Sequence, residues 1–277
     1  MATISINNPL ARKLYVAFKY IVFILLSINI FVFLQDELDA STHIFGNGVR
    51  FSNIIEAYAA TIDTASWVIL LLLFELETEV IADEKIKGPT KWVIHWTRWL
   101  CSAFIIYALY GYIAKLLGLS NYQLSEISDL CSQNIDWSFL TTLDEFTSIT
   151  LNNCAALAAP EYLQLSDKNV IATHETLNTA KWLAWIDVVN AFTWVLIVIM
   201  LEIDVRIQLR KHVYKTWEFI SGITKIILYC ILFFAAIIWG VDGSFIDTWD
   251  ASLWLVAFIF IEMDVFDWQE EIAAQHN

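Results

Sequence analysis

Six segments of this chain are apolar over about twenty residues, the length an α-helix needs to cross the hydrocarbon core of a bilayer. They run from Leu14 to Leu34, Ile54 to Thr78, Trp92 to Leu117, Ala180 to Glu202, Trp217 to Val241 and Asp247 to Asp264. Within lipid every backbone N–H and C=O must find its partner inside the segment, so runs of this length form helices. Composition agrees, with 58% hydrophobic residues and only 3 Pro and 8 Gly to break them. The expected fold is an all-α polytopic membrane protein with six transmembrane helices.

The basic residues orient that bundle. Twelve of them (Arg12, Lys13, Lys19, Lys85, Lys87, Lys91, Arg98, Arg206, Arg210, Lys211, Lys215 and Lys225) precede or open helix 1, or lie between or just inside helices 2 and 3 and helices 4 and 5. The other side holds Arg50, Lys115, Lys168 and Lys181. The positive-inside rule therefore places both termini in the cytoplasm of a multi-pass protein of the cytoplasmic (inner) membrane. Helix 1 is too long for a signal-peptide core and has no small-residue cleavage site, so it reads as a signal anchor. Much of the net charge of −14 lies on the outer side, in residues such as Asp36, Glu37, Asp39, Asp144 and Glu145, where a solvated face is expected. That balance offers nothing to a nucleic acid.

Three parts follow: residues 1–117 with helices 1 to 3, an extracytoplasmic segment at 118–179, and residues 180–277 with helices 4 to 6 and a short acidic tail. Tyr122 to Cys131 and Thr142 to Leu157 have helix-compatible apolar spacing, so a small helical cap is expected over the outer side. Cys131 and Cys154 both fall there and are expected to form a disulfide if that side is oxidising. Cys101 and Cys230 fall within spans, where a thiol usually serves as a small buried apolar group.

A motif recurs at the ends of three spans. Trp67, Trp194 and Trp254 are each followed eight residues later by a carboxylate and two after that by another: Glu75 and Glu77, Glu202 and Asp204, Glu262 and Asp264. A shift of 127 residues also lays Thr97 on Thr224 and Arg98 on Lys225. Helices 2 and 3 thus resemble helices 4 and 5, and pairing helix 6 with helix 1 puts Lys19 in the place of Arg98. Corresponding helices run the same way, so the repeat of helix pairs is parallel.

Charges near hydrocarbon are costly unless paired or able to snorkel, and they often mark an ion pathway. Glu75, Glu202 and Glu262 end inward-running helices, while Lys19, Arg98 and Lys225 begin outward-running ones, so all six sit at a similar depth as natural partners. An interfacial lock between helices and a cytoplasmic gate both satisfy this pattern. Four residues before each repeated Trp stands another polar residue, Asp63, Asn190 and Asp250, which caps a helix start or extends a polar track. Trp92, Trp96, Trp99, Trp182 and Trp185 fit an aromatic belt at the headgroups. The repeated tryptophans lie deeper, where an indole N–H needs a partner.

No phosphate-binding glycine loop, nucleophile elbow or paired-cysteine metal pattern is present. A single in-span histidine, His95, makes a weak metal or haem ligand set. No enzyme activity, cofactor or metal is expected. The leading expectation is a channel or transporter of an inorganic cation or proton, its partners being the lipid bilayer and further copies or other membrane subunits. The alternative is a non-catalytic scaffold or assembly subunit of a larger complex.

Overall fold

A computed structural model describes residues 9–46, 48–77, 88–127, 129–132, 137–166, 168–209, 215–243 and 245–275. Lys85, Lys87, Arg210 and Lys211 lie outside this set, as do the side chains of Glu262 and Asp264. The chain is mostly helical. Its helices are α1 (Pro9–Ile44), α2 (Ile54–Ala57), α3 (Ala59–Glu75), α4 (Pro89–Gly118), α5 (His174–Leu209), α6 (Lys215–Asp242) and α7 (Phe245–Gln275). Among the described residues four helices are long and apolar enough to cross a membrane, lying in α1, α4, α5 and α6. The pair α2 and α3, bent by 74° between them, makes a fifth if taken as one span.

The six long helices alternate in direction and form a ring. Each packs against its neighbour in the sequence, and α7 returns to pack on α1. One apolar cluster occupies the centre, with Leu26 of α1, Leu71 of α3, Ile197 of α5, Leu232 of α6 and Ala257 of α7 among its members. Gly111 of α4 makes the ring close where α4 meets α2: a Cβ there would lie 2.5 Å from the Ile55 carbonyl oxygen. Gly88, at φ 63°, turns the chain into α4, and Pro89 opens that helix with its φ already suited to it.

The segment between α4 and α5 corrects the expectation of a helical cap. It holds a mixed five-stranded sheet of β1 (Tyr122–Leu124), β2 (Ser138–Leu140), β3 (Phe146–Ser148), β4 (Leu163–Leu165) and β5 (Val170–Ala172) in the order β1-β4-β5-β2-β3. Each strand is three residues long, too short for its own periodicity to reveal it. Two of the four pairings that create them are distant in sequence: Tyr122 opposite Leu165, and Ser138 beside Val170 in parallel. The buried side is aromatic and β-branched, with Trp137, Phe139, Tyr162 and Ile171 packed together, a composition suited to a sheet. Cys131 and Cys154 form the expected disulfide beneath it, with Cα atoms 5.3 Å apart.

Polar and apolar contacts fasten the cap to the ring. His43, near the end of α1, stacks on Phe146 and shares a 2.7 Å hydrogen bond with Ser138. Lys115 of α4 reaches Asp144 in the β2–β3 connection at 2.7 Å. Apolar contact between Leu140, Leu143 and Leu163 of the cap and Leu183 and Trp239 of the helices completes the joint. Of the two cysteines outside the disulfide, Cys101 is buried as expected, whereas Cys230 is exposed on the outer face of α6.

Candidate functional site

At the cap end the ring opens around a cavity of about 430 Å³ to which all six long helices contribute. The β2–β3 connection, from Thr141 to Glu145, stands at its mouth. Three of the helices run away from the cap, α3, α5 and α7, and each carries a polar residue followed four positions later by the repeated tryptophan. Four residues of helix rise about 6 Å. Asp63, Asn190 and Asp250 therefore form one level of the wall, and Trp67, Trp194 and Trp254 a deeper one.

The deep level is an aromatic floor. The Trp67 ring lies 6.4 Å from both the Trp194 and Trp254 rings, centre to centre, and Phe258, one turn beyond Trp254, comes within 4.3 Å of Trp194. Trp194, Trp254 and Phe258 are buried. Beyond them lies the apolar core of the ring, so the cavity ends at this layer. The rings supply large contact area in edge and tilted arrangements favoured by aromatic quadrupoles.

The indoles meet their neighbours in the upper level. The Trp67 side chain lies beside Asp63, and that of Trp254 beside Asp250, the same four-residue step in two helices. Asp63 receives the Tyr112 hydroxyl at 3.5 Å, and Asp250 the buried Asn29 amide at 2.7 Å. A third aspartate, Asp187 of α5, accepts the Trp239 indole N–H at 3.2 Å. Sequence reasoning passed over Asp187, although a lone acid inside an apolar span is itself a signal. It also passed over Tyr112 and Asn29, whose roles depend on contacts 49 and 221 residues away.

Nine carboxylates line the cavity with one basic residue, Lys115, which Asp144 engages. Asp36, Asp39 and Glu145 are exposed at the mouth, as a solvated outer face requires. Glu37 departs from that expectation: it is 4% exposed and points into the break between α2 and α3. Its two oxygens accept the backbone N–H groups of Ala60 and Thr61 at 2.8 and 3.0 Å. Those donors have no carbonyl of their own helix to meet, so a carboxylate from α1 caps α3.

At the opposite end the acidic helix termini meet the basic ones, in a pairing that uses both carboxylates of the motif. Lys19 of α1 lies 2.6 Å from Glu75, which also accepts the Tyr20 hydroxyl at 2.9 Å. The Lys19 and Glu75 side chains are 5% and 7% exposed. Arg98 pairs with Glu77, at 49% and 24% exposed. Lys225 lies 3.3 Å from Asp204, whose oxygens also accept Ser221 and the Trp217 indole. The Arg98 and Lys225 pairs each join residues 21 apart in sequence, on the second acid of the motif rather than the first. Glu202 is exposed beside them. Trp92, Trp96 and Trp99, near the start of α4, are exposed, and His95 accepts the Trp99 N–H at 3.1 Å.

A second cavity, of about 300 Å³, adjoins the first beneath the cap and shares Glu37, Lys115 and Asp144 with it. Burial pushes the Tyr122 hydroxyl on its wall above the ordinary phenol range, so the group stays neutral there. Among the described residues no group of three His, Cys, Asp or Glu side chains is placed to hold a metal ion.

The fold and site define a class: a mostly helical chain with helices suited to a membrane, enclosing an acidic cavity under a disulfide-linked β-cap. Neither the known protein families, nor the curated proteins, nor the solved structures contain a match to this chain.

Proposed function

We propose that this chain is a multi-pass protein of the cytoplasmic membrane that transports a cation or proton through its helical ring. All six long helices cross the bilayer in this reading, with both termini in the cytoplasm and the cap outside, and the parallel repeat relates α3 and α4 to α5 and α6. The cavity carries the proposal. Nine carboxylates against one engaged lysine concentrate cations at the mouth, and the three repeated polar positions share its wall.

The floor of Trp67, Trp194, Trp254 and Phe258 closes the path in the state described here. Lys19 and Glu75, lying past the apolar core, form a second closure. Passage requires α3, α5 and α7 to separate at the floor, and a cation or proton arriving at Asp63 or Asp250 supplies the differential interaction that such a shift needs. The rival reading is a scaffold of a larger complex, for which the exposed Leu124 and Leu151 of the cap offer a contact surface.

Flux of K+, Na+ and protons into liposomes carrying the purified chain tests the reading. Transport predicts flux that falls in an Asp63→Asn, Asp250→Asn double variant with unchanged thermal unfolding. Absence of flux in the parent chain for all three ions under imposed voltage would overturn it in favour of the scaffold.

A further inference from the structure

The wall of the cavity is acidic, yet its charges are dispersed. Asp63, Asp187 and Asp250 stand on three different helices, and no metal-binding group of three acids, histidines or cysteines forms among the described residues. A bare divalent ion asks for several oxygens converging at one point. Each of the three aspartates instead accepts a hydrogen bond from a neutral donor, Tyr112 for Asp63, Trp239 for Asp187 and Asn29 for Asp250, and none has a cationic side chain within ion-pair distance among the described residues. These donors fix the carboxylates in position and bring no positive charge of their own, while Lys115, the one basic residue among the lining residues, is engaged by Asp144.

The floor is of the opposite character, being aromatic and apolar. Its rings exceed what a small hydrated ion needs, and the volume of about 430 Å³ is that of a small-molecule site. A floor of indole rings below a ring of separated carboxylates is complementary to a molecule with an apolar body and a positive, weakly hydrated head. Indole is the best of the side-chain partners for such a cation.

We propose that the cavity binds an organic ammonium compound, its charge held among Asp63, Asp187 and Asp250 and its body resting against Trp67, Trp194 and Trp254. This deepens the transport reading by naming a substrate class, but binding itself does not depend on passage. The mouth, lined by exposed Asp36, Asp39 and Glu145, gives the cation an attractive entrance from the cap side.

Titration calorimetry on the whole chain in lipid nanodiscs tests this with tetraethylammonium and spermidine as probes, and KCl and MgCl2 at matched ionic strength as competitors. The expected result is saturable binding of at least one organic probe that the inorganic salts do not displace. Tetraethylammonium alone would indicate a compact head over the rings; spermidine alone would indicate a linear polyamine bridging the three aspartates. Asp187→Asn and Asp250→Asn, which keep the side-chain shape and an acceptor for the hydrogen bonds, are each expected to weaken binding about tenfold, the size of one charge or cation–π contact. Trp67→Leu is expected to do the same, and Trp67→Phe to restore part of the loss.

No binding of either probe, or equal displacement by K+, would overturn the proposal. So would binding indifferent to Trp67→Leu in a chain that still unfolds at the parent temperature, which would reduce the cavity to an acidic vestibule. Ammonium binding without any flux would uphold this site while removing transport; K+ or proton flux without ammonium binding would do the reverse.

Discussion

Removing Lys19 should cost several times more stability than removing Arg98, although the sequence presents them as equivalents. The difference lies in burial: 5% and 7% exposure for the Lys19 and Glu75 side chains, against 49% and 24% for Arg98 and Glu77. Lys19→Met keeps the apolar stem but leaves Glu75 in a dry setting with, among the described residues, the Tyr20 hydroxyl to satisfy it. Breaking one side of a buried pair costs about 3–5 kcal/mol, because the remaining charge loses its compensation. An exposed pair contributes about 0–1 kcal/mol, so Arg98→Met should be nearly silent. Neutralising both buried partners, Lys19→Met with Glu75→Leu, removes the orphaned charge and should recover most of the loss. Thermal and denaturant unfolding of the three variants in one detergent gives the comparison, with the double variant closing a mutant cycle. The reasoning fails if Lys19→Met costs no more than Arg98→Met, or if the double variant is as unstable as the single.

Other parts of the molecule give sharper local tests. Gly111→Val places side-chain carbon against the Ile55 carbonyl oxygen, 2.5 Å from an ideal Cβ, and should lower stability by about 1–3 kcal/mol or more, read as a lower melting temperature. Cys131→Ser with Cys154→Ser releases a loop with a sequence separation of 23, for which chain entropy gives about 3 kcal/mol; limited proteolysis should cut the cap faster while the helices remain resistant. Glu37→Ala removes the cap of α3 and should cost about 1–2 kcal/mol, visible as faster amide exchange at Ala60 and Thr61. Phe258→Ala should open the aromatic floor: with Cys101 and Cys230 replaced by Ser, a cysteine at Ile197 should react with a thiol reagent only in the Phe258→Ala background.

Much of the ring was written in the chain, because long apolar runs with few Gly and Pro to break them favour helix. The regions of the helices and the joint depth of Trp67, Trp194 and Trp254 follow from spacing along single helices, and the pairing of Cys131 with Cys154 from their sharing the one long segment between the helices. A helix turns a fixed distance per residue, so Asp63 must lie above Trp67, and Asp250 above Trp254. The meeting of basic helix starts with acidic helix ends was also legible as a set of charges at one depth. Which acid each base would take was not: Arg98 selects Glu77 and Lys225 selects Asp204, a matter of helix rotation and separation.

The tertiary structure decided what depends on distant residues meeting. The cap is a sheet because three-residue strands gain their hydrogen bonds only from partners elsewhere in the chain, as Tyr122 does from Leu165. Glu37 is a buried helix cap instead of a solvated acid because α3 starts beside α1 with two unsatisfied N–H groups. Closure of α7 onto α1 brings Asn29 to Asp250 across 221 residues and turns separate polar positions into one wall. Sequence alone determined the elements and their depth, since these are one-dimensional properties of a helix; only packing around a closed ring could decide the cavity, which belongs to no element by itself.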